Sequence, residues 1–224
     1  MSPAAAGFSK HRLGAMLFGL AACCLIGHDT MRAGTVYNVN HAKSYLLVIV
    51  DKQGLLSFAG HAHAALATKW SFESALDTSN LKDSAVTITL PVASLVIDTA
   101  EARRLAGLDS GPSPGDVRKI QDTMLGPEVL DARNYPTIVF TSSSVAAGAS
   151  ELRVTGRFQM HGQTRELTVP VRYTRGTDGS FDFSGEFQLR QTDFGIKPVS
   201  VGMGTVNVKN EIRIRFAVTV VPAT

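Results

Sequence analysis

The side chains with most chemistry to offer are histidines and cysteines. His61 and His63 stand two apart, so on a regular strand they share one face. Together with His161 they are candidates for holding Zn²⁺ or another borderline metal through imidazole nitrogens, with a further ligand drawn from elsewhere in the fold. A second reading has His61 meeting the polar head of a bound ligand at a rim. The third reading leaves the histidines structural or solvated. His161 falls on the polar side of its segment beside a Gly162 turn, where a solvated histidine also sits. Cys23 and Cys24 are the only cysteines and both lie near the N-terminus. The body of the chain therefore has no disulfide, no thiolate metal site and no thiol nucleophile.

Those cysteines belong to a leader. Lys10 and Arg12 precede the apolar stretch Leu13–Leu20, the arrangement of an export signal over residues 1–33. The uncharged run that ends at Gly27 is short for a membrane span. Leu20-Ala21-Ala22-Cys23 resembles a bacterial lipoprotein signal, in which Cys23 becomes the acylated N-terminus; plain cleavage nearer Ala33 is the alternative. The expected location is periplasmic or secreted, with lipid anchoring to the envelope through an acylated Cys23 as the variant.

Enzyme signatures are missing. The sequence carries no Gly-x-Ser-x-Gly elbow, no phosphate-binding loop, no His-Glu-x-x-His and no dinucleotide glycine pattern. The formal net charge is +3 and the basic residues stand singly, which argues against nucleic acid as a partner.

The elements that must position these residues are strands. Leu152, Val154, Phe158 and Met160 alternate with charged and polar neighbours, as do Leu167, Val169, Val171 and Tyr173. Phe181, Phe183, Phe187 and Leu189 continue the pattern, and Val206, Val208, Ile212, Ile214, Phe216, Val218 and Val220 complete it. Period-two alternation gives each strand one apolar and one wet face. Four such strands in succession form a meander whose apolar faces share one interior, in a barrel or a sandwich.

Upstream, Thr35–Asn40 reads as an edge strand and Tyr45–Val50 as a strand that turns at Asp51–Gly54. Leu55–Ala59 then reads as its returning partner, with Gly60 as a bulge. The run His61–Leu76 is long enough to bend around a barrel, and Val86, Ile88 and Leu90 mark a strand ending at Pro91. A helical turn or two fits Thr99–Leu105. Ser113, Pro114 and Asp116 open a second helix as cap, first-turn proline and capping box. Val117, Ile120, Met124 and Leu125 give that helix an apolar stripe, which either packs over a barrel end or forms a lid to a lumen. Ile138–Val145 resumes strand, and Tyr135-Pro136 and Asp193–Ile196 read as architecture, an extended lead-in and a turn.

Ordered motifs carry a resemblance. Tyr37-Asn-Val-Asn40, Ser44, Gly60-His61, Ser94-Leu95 and Asp98-Thr99 come first. Leu130-Asp131 through Tyr135-Pro136 to Phe140, Val154-Thr-Gly156 leading to Met160-His161-Gly162, and Asp193-Phe194-Gly195-Ile196 follow. In this order they resemble the YceI-like domain of bacterial polyisoprenoid-binding proteins, from about Tyr37 to Val221. The resemblance implies an all-β, eight-stranded antiparallel lipocalin-like barrel with a short helical insertion, here over residues 35–222, holding a long isoprenoid. Two features depart from the pattern: a longer connection over Glu101–Pro114 and the additional histidine of His61-Ala62-His63.

The ligand-binding residues expected are Phe140, Phe158, Leu167, Val169, Phe183, Phe187, Ile212, Ile214, Phe216 and His61. A prenyl tail has no hydrogen-bonding groups, so its affinity comes from area. Burying roughly 400 Å² at about 25 cal/mol per Å² gives on the order of 10 kcal/mol before ordering costs. The same phenylalanines could instead pack tightly and leave no cavity. Lys43, Arg103, Arg104 and Lys197 lie near expected rims, as partners of a diphosphate or as solvated charges. The expectation is a non-enzymatic carrier of a polyprenyl lipid or quinone, with no cofactor and with a homodimer left open. An envelope interaction protein with no lumenal ligand and a histidine-dependent metal-binding barrel are the alternatives.

Overall fold

In a computed structural model, which describes residues 36–53, 61–109, 111–148, 151–201 and 206–223, the chain forms one antiparallel sheet of twelve strands among the described residues. The strands are β1 (Tyr37–Val39), β2 (Tyr45–Gln53), β3 (His63–Ala67), β4 (Ser71–Ala75), β5 (Ala85–Pro91) and β6 (Leu95–Ile97). Helices α1 (Ala100–Ala106) and α2 (Pro114–Leu125) follow, then β7 (Thr137–Ala147), β8 (Leu152–Met160), β9 (Gln163–Arg175), β10 (Phe181–Arg190), β11 (Ser200–Val201) and β12 (Val206–Pro222). Neighbours run β4-β5-β7-β8-β9-β10-β12-β2-β3-β6, with β1 and β11 also paired to β12. The sheet curls into a half-barrel of the expected lipocalin-like, all-β kind.

The strand count exceeds eight for local reasons. The His61–Leu76 run divides into β3 and β4 at a corner that Ser94 ties down. Ser94 donates to the carbonyls of Lys69 and Pro91, and its own carbonyl accepts from Thr68 N–H. The turn expected at Asp51 starts later, because β2 stays paired with β12 as far as Gln53 opposite Asn207. The expected Leu55–Ala59 strand and the Gly60 bulge lie outside the described residues.

One strand is apolar on both faces, and that explains where the first helix goes. Leu46, Val48 and Val50 of β2 face the interior, while the alternate residues Leu47, which also borders the cavity, and Ile49 are fully buried with Ala64 and Ala102. α1 lies on the outside of the wall and covers them. Burying Leu47 and Ile49 stabilises by about 1.5–3 kcal/mol each. Thr99 caps α1 by accepting from Ala102 N–H, and Gly107 at φ +68° closes its C-terminus in the left-handed conformation that glycine adopts without strain.

α2 starts as the sequence indicates. Ser113 Oγ accepts from Asp116 N–H at 3.2 Å and donates to the Asp116 carboxylate at 2.7 Å, and Pro114 occupies the first turn. The helix covers the free edge of β6. Its Gln121 side chain accepts from Ile97 N–H and donates to Leu95 C=O, both at 2.8 Å, so one amide satisfies two groups an edge strand leaves open.

Candidate functional site

The curled sheet encloses a cavity of about 800 Å³, within the range of about 300–1,000 Å³ usual for ligand sites. Phe140 of β7, Phe158 of β8, Val169 of β9, Phe183 and Phe187 of β10, and Ile212, Ile214 and Phe216 of β12 all line it, as does His61. Leu167 does not. It is half-buried and packs against the core, opposite Gly156, outside the lining. Phe72 of β4 lines the cavity and was missing from the expected set. Phe181, also on the apolar side of β10, is 2% exposed and packs against Tyr37 and Phe183 rather than lining the space.

Two glycines keep that space open. Gly156 and Gly185 occupy inward positions of β8 and β10, in gaps of the apolar alternation. A Cβ on Gly156 would come within 2.6 Å of the Phe140 ring, and one on Gly185 within 2.7 Å of the Phe216 ring. Such contacts are closer than carbon atoms allow, so each ring occupies room that a side chain would otherwise take. The rings form the wall.

The lumen is asymmetric. Strand register puts Leu46 opposite Phe216 at one end and Lys52 opposite Val208 at the other, with Val50 facing both His63 and Ile212 between them. By register His63 and Asn207 lie toward the Lys52 side, and His61, Ser84, Ser113, Asp116, Lys119, Thr123 and Gln191 are the other polar residues of the lining. α2 contributes Ile120 and Met124 to the lining, so its apolar stripe both packs on the core and roofs the lumen.

Beside this end lies a buried charged cluster. His63 Nδ1–H donates to Asp98 Oδ2 at 2.6 Å, Ala64 N–H to Asp98 Oδ1 at 3.1 Å, and Arg103 Nη1 to Asp98 Oδ1 at 2.8 Å. The Asp98 side chain is 0% exposed and its backbone is left-handed at φ +52°. Burial pushes its carboxyl up, but the hydrogen bonds from His63 and Ala64, the electrostatic attraction of His63 and the bond from Arg103 outweigh this and hold it below its ordinary value. Arg103 reaches it from α1 and also donates to the carbonyls of Ala62 and Asp109.

The remaining sequence candidates disperse. His161 lies at φ +50° in the two-residue turn between β8 and β9, bonded through Nδ1 to Phe194 C=O and packed on Tyr135. Among the described residues no three His, Cys, Asp or Glu side chains converge on a common point. Of the expected rim cations, Arg104 pairs with Glu101 on the exposed side of α1, and neither it, Lys43 nor Lys197 lines the lumen. Lys52 and Lys119 line it instead. The Asp193–Ile196 segment is a turn as read, closed by Gly195 at φ +74°.

A curled antiparallel sheet around an apolar lumen, roofed by one short helix, defines a lipocalin-like barrel. The YceI-like domain matches residues 37–220, and the chain belongs to that family. It is 24% identical over 161 residues to Protein YceI of Escherichia coli O157:H7, covering 66% of this chain and 75% of that one. Among solved structures it is similar to Burkholderia cenocepacia BcnA, with TM-score 0.61, 22% identity, and coverage of 84% of this chain and 100% of the other. It is also similar to a polyisoprenoid-binding domain from Saccharophagus degradans implicated in plant cell wall breakdown, with TM-score 0.56, 11% identity, and coverage of 84% and 99%.

Proposed function

We propose that this protein is an exported, non-catalytic carrier that sequesters a long-chain isoprenoid, a polyprenyl lipid or a quinone, in its lumen. The observation that carries the reading is the open cavity of about 800 Å³ lined by six phenylalanines among aliphatic side chains. A tightly packed interior was the competing outcome, and it would have left no room for a chain. The family membership and the similarity to a polyisoprenoid-binding domain support the same ligand class. The apolar leader supports export, with Cys23 as the acylation site in an anchored form. Among the described residues no helix is long and apolar enough to cross a membrane.

Native mass spectrometry of the protein purified from the cell envelope, followed by organic extraction, tests the proposal. A stoichiometric adduct of isoprenoid mass is expected, and the intact mass reads the state of Cys23 directly. A bare polypeptide that stays bare after incubation with quinones and polyprenyl phosphates would turn the assignment toward an envelope interaction protein.

A further inference from the structure

We infer that the side-chain amide of Gln191 reads the head of the bound chain, its Oε1 atom accepting a hydrogen bond from a hydroxyl or another neutral donor. The inference rests on the carrier reading above and names the head-group chemistry that the lumen recognises.

The strand sets the direction of this side chain. Leu189 of β10 pairs with Ile212 of β12, and both line the lumen. Arg190 stays extended, so Gln191, two residues on from Leu189, takes the same inward face and lines the lumen as well. Gln191 is 7% exposed, whereas none of the other polar residues of the lining is buried. It is the polar group that this apolar space shelters from water.

One half of the amide is committed and the other is open. Nε2–H donates to the Lys209 carbonyl at 2.8 Å, where the pairing of β12 with β2 shifts register. A carbonyl only accepts, so the amide turns its nitrogen toward Lys209 and its oxygen away. The backbone is held too, because Gln191 C=O accepts from Ile196 N–H at 3.1 Å. Oε1 has no hydrogen-bond partner among the described residues. The side-chain atoms among those residues that are both sealed and unpartnered are Ser74 Oγ and Arg213 Nε. Oε1 therefore keeps an accessible surface, and on a side chain that lines the lumen this surface faces the lumen.

A sheltered acceptor without a partner gains more from a donor than a solvated one does. A prenyl chain lying along Phe187 and Leu189 satisfies it when the chain ends in a group with a proton to give, an alcohol being the simplest. Lys52 and Lys119 share the lining and offer only N–H groups. They draw an anionic head such as a phosphate by charge, whether or not it carries such a proton. That attraction adds to the Gln191 contact, and neutral ligands separate the two.

Farnesol and farnesyl methyl ether provide the test, because they share a chain and an oxygen and differ in the proton. Binding is measured by displacement of N-phenylnaphthylamine from the full-length wild-type protein and from Gln191→Met, which keeps length and flexibility and removes the amide. Wild type is expected to bind farnesol about tenfold more tightly than the ether, the scale of one hydrogen bond. Gln191→Met is expected to lose that preference and keep the ether affinity of wild type. In wild type, the side-chain amide resonances of Gln191 are expected to shift more with farnesol than with the ether, a readout that stands even if the variant fails to fold. Equal binding of the two ligands by wild type, retention of the preference in Gln191→Met, or resonance shifts of equal size overturns the assignment while leaving the carrier intact. If neither ligand displaces the probe, the carrier reading falls and takes this inference with it.

Discussion

Gly185 sits directly opposite Phe216 in the ladder between β10 and β12, and the Phe216 ring fills the place a Gly185 side chain would take. Gly156 is paired with Ser142, two residues along from Phe140, and there the Phe140 ring takes the place of a side chain. Neither glycine has a left-handed backbone, so conformational freedom is not what these positions require. They require absence of volume.

Gly185→Ala and Gly156→Ala are therefore expected to destabilise by about 1–3 kcal/mol through overpacking. Alanine at an unstrained glycine would ordinarily stabilise by about 0.4–1 kcal/mol, so the sign alone discriminates. Urea denaturation checks it. The displaced rings should also shrink the lumen, which probe displacement reads as weaker binding of long chains.

Gln121 closes the β6 edge with a single amide, so Gln121→Ala leaves both Ile97 N–H and Leu95 C=O without their protein partner. The expected cost is about 1–3 kcal/mol, together with faster amide hydrogen exchange at Ile97. Exchange at Ile49, in the wall beneath α1, should not change. Unaltered protection at Ile97 would show that α2 does not depend on this hook.

Asp98 sets an acid-side dependence. Its folded carboxyl lies below its ordinary value of 3.8, so its contribution to stability is present above the unfolded value. That contribution is lost as pH falls through the folded one. Asp98→Asn removes the counter-charge of Arg103 and should cost up to about 3–5 kcal/mol near neutral pH. The gap between wild type and variant should close on acidification from about pH 5 downward. Parallel stability curves over that range would contradict the pairing.

Ser113→Ala removes the α2 cap, for about 1 kcal/mol. The loss should appear in helix content measured by circular dichroism at moderate temperature, before the sheet unfolds.

Much of this was legible in the chain because strand periodicity is local. Phe183, Phe187, Ile214 and Phe216 could be placed inside from parity alone, and even the glycines show as gaps in the alternation at positions 156 and 185. Leu167 has the right parity, but parity says which face a residue takes and not whether a neighbour stands between it and the cavity. The burial of Leu47 and Ile49 with Ala102 was hidden, since a run apolar at every position does not say what covers its second face. The Asp98 cluster was hidden more deeply. His63 and Asp98 are 35 residues apart, and what joins them is a β3–β6 pairing followed by a left-handed residue, neither of which has a local pattern. Metal ligation by His61, His63 and His161 looked plausible from residue type, yet His161 is committed to a hairpin turn.

Arg103 reaches Asp98 from a helix seated outside the wall, whereas the roof over the lumen belongs to α2. The buried ion pair and the roof are thus held by different helices. Changes at the lining residues Ile120 and Met124 of α2 should alter how quickly an occupant is exchanged. Changes in α1 at Arg103 should loosen the wall while exchange rates for a plain hydrocarbon stay the same. Residence time and wall stability become separately adjustable properties of one barrel.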